Sequence, residues 1–103
     1  MTVTGFLAVS PATDGSMAPE VAKAVEALEP FDVAYETTPM GTILEAEDVA
    51  ELFAAAQAAH EAVDGERVGT FLKVDDKRTS DAPASAKVES VERELGRKPA
   101  NDR

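Results

Sequence analysis

The 103-residue sequence contains no cysteine. Disulfides and cysteine-ligated zinc are therefore excluded, and a reducing compartment, the cytoplasm, is the expected setting. No apolar run approaches the roughly 20 residues of a membrane-spanning helix. The opening residues, MTVTGFLAVS, lack a basic n-region and a long apolar h-region, so no signal peptide is expected. Basic residues are scarce: 10 Lys and Arg stand against 20 Asp and Glu, a formal net charge of −10. Such a chain is poorly suited to neutralise phosphates, which argues against nucleic acid and against an anionic membrane as partners. A cationic small ligand is compatible. So is an acidic surface suited to a halophile's cytoplasm, where salt screens like-charge repulsion.

The parts of a catalytic site are also scarce. With no Cys and a single His, His60, a nucleophile–base arrangement would have to be built around that one residue. His60 falls on the apolar stripe of a helical segment. That suits a hydrogen-bonded, partly buried structural histidine, or one that orients a polar group in a pocket. A lone His is a poor metal site. The expectation is a protein that is not an enzyme, with no catalytic residues and no metal.

What is present is a globular composition, 44% hydrophobic, of single-domain length. Val3 to Ser10, VTGFLAVS, has apolar residues on both parities, as in a strand covered on both sides. PATDGS, residues 11–16, is a loop, and Ser16 is placed to cap a helix. Val21, Val25 and Leu28 recur at helical spacing until Pro30. Phe31 to Thr37 is a second strand with Phe31, Val33 and Tyr35 on one face. Thr42 to Ala46 is a third. Asp48 can cap a second helix whose stripe is Val49, Leu52, Phe53, Ala56, His60 and Val63, with Gly65 as a left-handed terminator. Arg67 to Val74 is the fourth strand. From Asp75 the chain turns polar, with a short helix over Ala84 to Leu95, a stripe of Val88, Val91 and Leu95, and Gly96 at its end. Residues 1–78 form the domain proper, and residues 79–103 a polar tail belonging to it.

The order β-α-β-β-α-β plus a tail helix is the split βαβ pattern of an α+β, ferredoxin-like sandwich: a four-stranded antiparallel sheet, two helices on one face, and a short C-terminal helix. Its second face is expected to be partly apolar and to pair with another copy.

Two polar segments invite a functional reading. Asp75-Asp76-Lys77-Arg78 is a solvated turn with ion pairs, or a ligand or subunit contact. YETTPMGTILE, residues 35–45, places Thr-Thr-Pro-Met-Gly-Thr between two strand-like runs. It is an ordinary hairpin turn, or a turn whose hydroxyls, glycine backbone and neighbouring aromatic ring face a flat heterocycle.

YETTPMGTILEAE at residues 35–47, AAHEAV at residues 58–63, RVGTFLKVDDKR at residues 67–78 and, more weakly, AKVESV at residues 86–91 together resemble the thiamine-binding protein family, the YkoF-like group of small ferredoxin-like proteins. The resemblance spans Val3 to about Val91. It implies subunits that pair through their sheets into homodimers or homotetramers and bind thiamine or its hydroxymethylpyrimidine part without chemistry. The chain departs from the family at PATDGS, where a Gly-Thr-Gly-like loop is common, so ligand contact by that loop is open. Thiamine is cationic, which suits the acidic chain. We expect Tyr35, Thr37, Gly41 and Thr42 to line the pocket, with Ser10 adding a hydroxyl. Lys73, Asp76 and Arg78 would contribute from the adjacent strand or from a partner subunit. The alternative is a regulatory or protein-interaction domain whose oligomeric sheet face is the functional surface.

Overall fold

Period-two alternation along one strand sets the architecture. The computed structural model describes residues 2–99. Strand β1 (Val3–Pro11) has Val3, Gly5, Leu7, Val9 and Pro11 buried, alternating with half-buried Thr4, Phe6, Ala8 and Ser10. The remaining elements are α1 (Ala18–Glu26), β2 (Ala34–Thr38), β3 (Gly41–Ala46), α2 (Val49–Ala62), β4 (Val68–Asp76) and α3 (Ser85–Leu95). The sheet order is β2-β3-β1-β4, with every neighbouring pair antiparallel. This is the expected ferredoxin-like α+β fold.

Helices α1 and α2 cover the face that carries Val3, Leu7 and Val9. Leu44 and Ala46 of β3 join them in the core, with Leu28, Leu52, Ala55, Ala56, Ala59 and Val63 from the helical layer. The register puts Phe6 beside Ile43 and Lys73, and Ala8 beside Phe71. Those residues occupy the opposite, open face. Phe6 and Phe71 meet there edge to face, with centroids 5.9 Å apart and planes at 74°, the arrangement that aromatic quadrupoles favour. Thr70 pairs with Val9 and so lies on the helix-covered parity, away from Phe71.

The second helix corrects the sequence reading. Its buried residues are Leu52, Ala55, Ala56 and Ala59, whereas Phe53 and His60 are exposed. The expected stripe was weighted by large side chains, but the sheet accepts this helix through small ones. Contact is close enough that a Cβ added at Gly5 would stand 3.2 Å from a Leu52 methyl. Three alanines permit that approach, and the larger Phe53 is turned outward. His60 instead sets Nδ1 against the Thr70 hydroxyl at the sheet's edge.

Boundaries shift for local reasons. Ser16 does supply a hydroxyl to a first-turn amide, accepting from Ala18 N at 3.2 Å, but Met17 occupies the helix boundary. Helix α1 gives way to turns after Glu26, before Pro30, while Leu28 stays buried. Phe31 and Val33 pack on the core from a connection ahead of β2. Gly65 does not terminate α2, which ends at an extended Val63; Gly96, at φ 75°, does terminate α3 in the left-handed conformation. Asp48 caps α2, its carboxylate accepting from Ala50 N at 2.8 Å. Lys23 bridges Glu20 at 2.8 Å and Asp64 at 3.0 Å, tying the start of α1 to the end of α2.

Helix α3 stands apart from the core. Its start is held by Ala84 N donating to Glu45 Oε1 at 3.0 Å and by the Lys87–Asp75 ion pair. Val88, Val91 and Leu95 remain exposed. The radius of gyration is 15.1 Å, against about 13 Å for a compact chain of this length.

The rotation of α2 has a direct test. Leu52 is 0% and Phe53 52% exposed. In denaturant unfolding, Leu52→Ala is expected to cost about 2–5 kcal/mol and Phe53→Ala less than about 1 kcal/mol. The reverse ranking would refute the packing described.

Candidate functional site

The β2–β3 turn builds the site from a division of labour among threonines. Thr38 spends its hydroxyl on the backbone: it donates to Gly41 O at 2.7 Å and accepts from Gly41 N at 3.2 Å and Met40 N at 3.3 Å. This side-chain clasp fixes the Pro39-Met40 tip. Thr37 and Thr42 are directly paired across the strands and face the helical layer beside Leu7 and Leu44. Neither hydroxyl is consumed by the turn.

Between this hairpin and α1 lies a cavity of about 160 Å³. Its walls are Leu7 and Val9 of β1, Val21, Ala24, Val25 and Leu28 of the α1 segment, and Thr37 and Thr42 of the hairpin; Met17 and Met40 also border it. Thr42 is 6% exposed and borders the cavity. An apolar chamber with a few polar groups is the usual composition of a small-molecule site.

Of the residues singled out in the sequence, Ser10, Thr37, Gly41 and Thr42 border this cavity. Ser10 pairs with Gly69 and shares the parity of Phe6, so alternation places its side chain on the face opposite Thr42. Gly41 has a packing role as well. A Cβ there would lie 2.6 Å from the Phe6 ring and 2.9 Å from Leu7 O, so the missing side chain makes room for Phe6 on the open face.

Tyr35 lies outside the cavity. Its hydroxyl donates to Glu29, and the residue borders a separate groove with Glu36, Ile43, Glu45 and Val88 of α3. Lys73 is on the open face next to Phe6 and Asp75. Asp76 and Arg78 pair with each other at 3.4 Å near the Val3 end of the sheet, opposite the end where Ser10 and the hairpin turn meet. Within one chain these three are not brought to the cavity. His60, on α2, does not border it either. Among the described residues no group of three or more His, Asp or Glu is placed to hold a metal ion, and no helix is long and apolar enough to cross a membrane.

The sequence reading missed the α1 wall and both methionines. Val21, Val25 and Leu28 were legible as an apolar stripe, but not as one left partly uncovered beside a hairpin. Met40 sits inside the hydroxyl-rich bend, where the threonines drew the attention.

Residues 6–92 match the sequence profile of a family described as thiamine-binding protein. The chain belongs to the thiamine-binding protein family. A member of an uncharacterised group, the UPF0045 protein of Methanothermobacter thermautotrophicus, is 47% identical over 83 residues, covering 78% of this chain and 84% of that protein. A hypothetical protein of Methanocaldococcus jannascii has a similar structure, with a TM-score of 0.80 and 31% identity over 87% of this chain and 95% of that one. A candidate thiamine biosynthesis/salvage protein of Thermotoga maritima shares the fold, with a TM-score of 0.67 and 23% identity over 88% of this chain and 99% of that one. The matched region of this thiamine-binding family member runs from β1 into α3 and contains the whole cavity.

The tyrosine is a built-in spectroscopic probe, since Tyr35 is the sole Tyr and there is no Trp. The hydrogen bond to Glu29, then desolvation, then the Glu29 charge raise its pKa above the ordinary value, about 10. The folded state thus favours the neutral phenol. That contribution is full below the ordinary pKa and is lost as pH rises through the raised one. Phenolate absorbance should titrate above the ordinary midpoint, and Glu29→Gln should lower that midpoint; an unchanged midpoint in the variant would show that the contact does not form.

Proposed function

We propose that this protein binds thiamine or its hydroxymethylpyrimidine part without catalysing a reaction, as a cytoplasmic homodimer or homotetramer. A ring-sized, largely apolar cavity bordered by Thr37 and Thr42 carries the reading. Membership in the thiamine-binding family supports it. So does the net charge of −10, which favours approach of a cation.

Size decides which part of the ligand enters. Whole-ligand pockets usually measure about 300–1,000 Å³, while an apolar cavity of about 150 Å³ holds one benzene ring. The 160 Å³ cavity therefore takes one ring. The aminopyrimidine is neutral and offers edge donors and acceptors to Thr42, Thr37 and backbone groups of the hairpin. The thiazolium bears a permanent charge, and burying it against Leu7, Val21 and Val25 would be costly. On this reading it stays at the mouth, where charged groups of a partner subunit, including Lys73, Asp76 or Arg78 from another copy, would act.

The open face supports self-association. Phe71 is 59% exposed and meets Phe6 edge to face, with Ile43 next to Phe6. A partly exposed aromatic pair on an uncovered sheet face, with charged residues nearby, is the usual composition of a subunit contact.

Two measurements test these parts separately. Calorimetry with thiamine and with hydroxymethylpyrimidine should give binding that Thr42→Val weakens about tenfold, the loss of one buried hydrogen bond. No heat with either compound or with the thiamine phosphates would remove the proposal. In sedimentation equilibrium, Phe71→Asp should shift the protein toward monomer; an unchanged mass would place the subunit contact elsewhere.

A further inference from the structure

The same cavity has a sulfur-lined rim. Of three methionines in the chain, the two other than Met1 both border it: Met17 at the start of α1 and Met40 at the tip of the β2–β3 turn. Met40 is 81% and Met17 44% exposed. The tip backbone around Met40 is fixed by the Thr38 clasp, while the Met40 side chain is left in solvent. Met17 accepts from Glu20 N at 3.1 Å and Val21 N at 2.9 Å through its carbonyl, so its backbone is likewise held by the first turn of α1. Two unbranched thioethers on held backbones, one from α1 and one from the hairpin tip, thus border the same cavity. Thioethers favour aromatic ring edges, and the cavity is the size of one ring.

We propose that Met17 and Met40 close over the bound ring, and that oxidation of their sulfurs by a peroxide releases it. This rests on the ligand reading given above. In the step, the peroxide O–O bond breaks and one oxygen is transferred to the thioether sulfur. The sulfur is oxidised to the sulfoxide, and hydrogen peroxide is reduced to water. The apolar, flexible side chain becomes polar and chiral. A sulfoxide loses the contact with the ring and must be desolvated to cover it. Exposure makes both sulfurs accessible to the oxidant in the ligand-free protein, and ligand in the cavity would shield them.

The test uses thiamine calorimetry on wild type and on the double variant Met17→Leu/Met40→Leu, each before and after hydrogen peroxide, with mass spectrometry to locate the added oxygen. Oxidised wild type should bind about tenfold more weakly, the loss of two sulfur–ring contacts. The double leucine variant gives up the sulfur–ring contacts and so sets its own baseline affinity, which peroxide should leave unchanged. Because both side chains are exposed, the ligand-free melting temperature should not move. Bound thiamine should slow oxidation at Met17 and Met40. Equal affinity of reduced and oxidised wild type, or the same loss in the leucine variant, would overturn the proposal while leaving thiamine binding intact. Absence of binding by the reduced wild type would instead sink the ligand reading, and the sulfur rim with it.

Discussion

Everything at the site depends on the alternation of β1 through the centre of the sheet. One parity, Val3, Gly5, Leu7 and Val9, must be apolar and in part very small, because two helices are pressed onto it. The other, Thr4, Phe6, Ala8 and Ser10, has no helix over most of its length. A one-residue slip would exchange the two sets and destroy both the core and the aromatic face. The neighbours inherit the division. In β3, Thr42 and Leu44 go with the helices, while Gly41 and Ile43 go with the open side. The cavity and the exposed aromatic cluster are therefore two outcomes of one pattern, on opposite sides of a single layer.

The hairpin joins these two sides. Gly41 gives Phe6 its space on the open face, while its neighbour Thr42 points into the cavity. Thr38 clasps the turn, which leaves Thr37 and Thr42 free of backbone duties. The Pro-Met-Gly interruption thus has a packing reason and a ligand-facing consequence together.

The chain's polar contacts are mostly exposed, and such pairs contribute little individually. Their value is positional. Lys23 links the α1 start to the α2 end, steadying the helix that walls the cavity. Lys87 and Glu45 hold the root of α3, while its apolar stripe is left uncovered. The elongated shape, 46 × 34 × 19 Å, follows from that projecting helix.

The sequence by itself determined the element order and the sheet face of nearly every strand residue, because strand alternation and turn chemistry are local. It also contained the bend that borders the cavity, since Thr, Pro and Gly act on their own backbone. Periodicity misplaced the packed face of α2: Phe53 and His60 fit a helical repeat, but closeness of approach to Gly5 selects Ala55, Ala56 and Ala59, and that distance is not encoded in any one segment. Tertiary structure alone decided that Tyr35 turns to Glu29 and away from the cavity, that Asp76 and Arg78 sit at the far end of the sheet, and that Met17 and Met40 border one cavity. Each of these depends on how separate elements are stacked in space, which no spacing along the chain records.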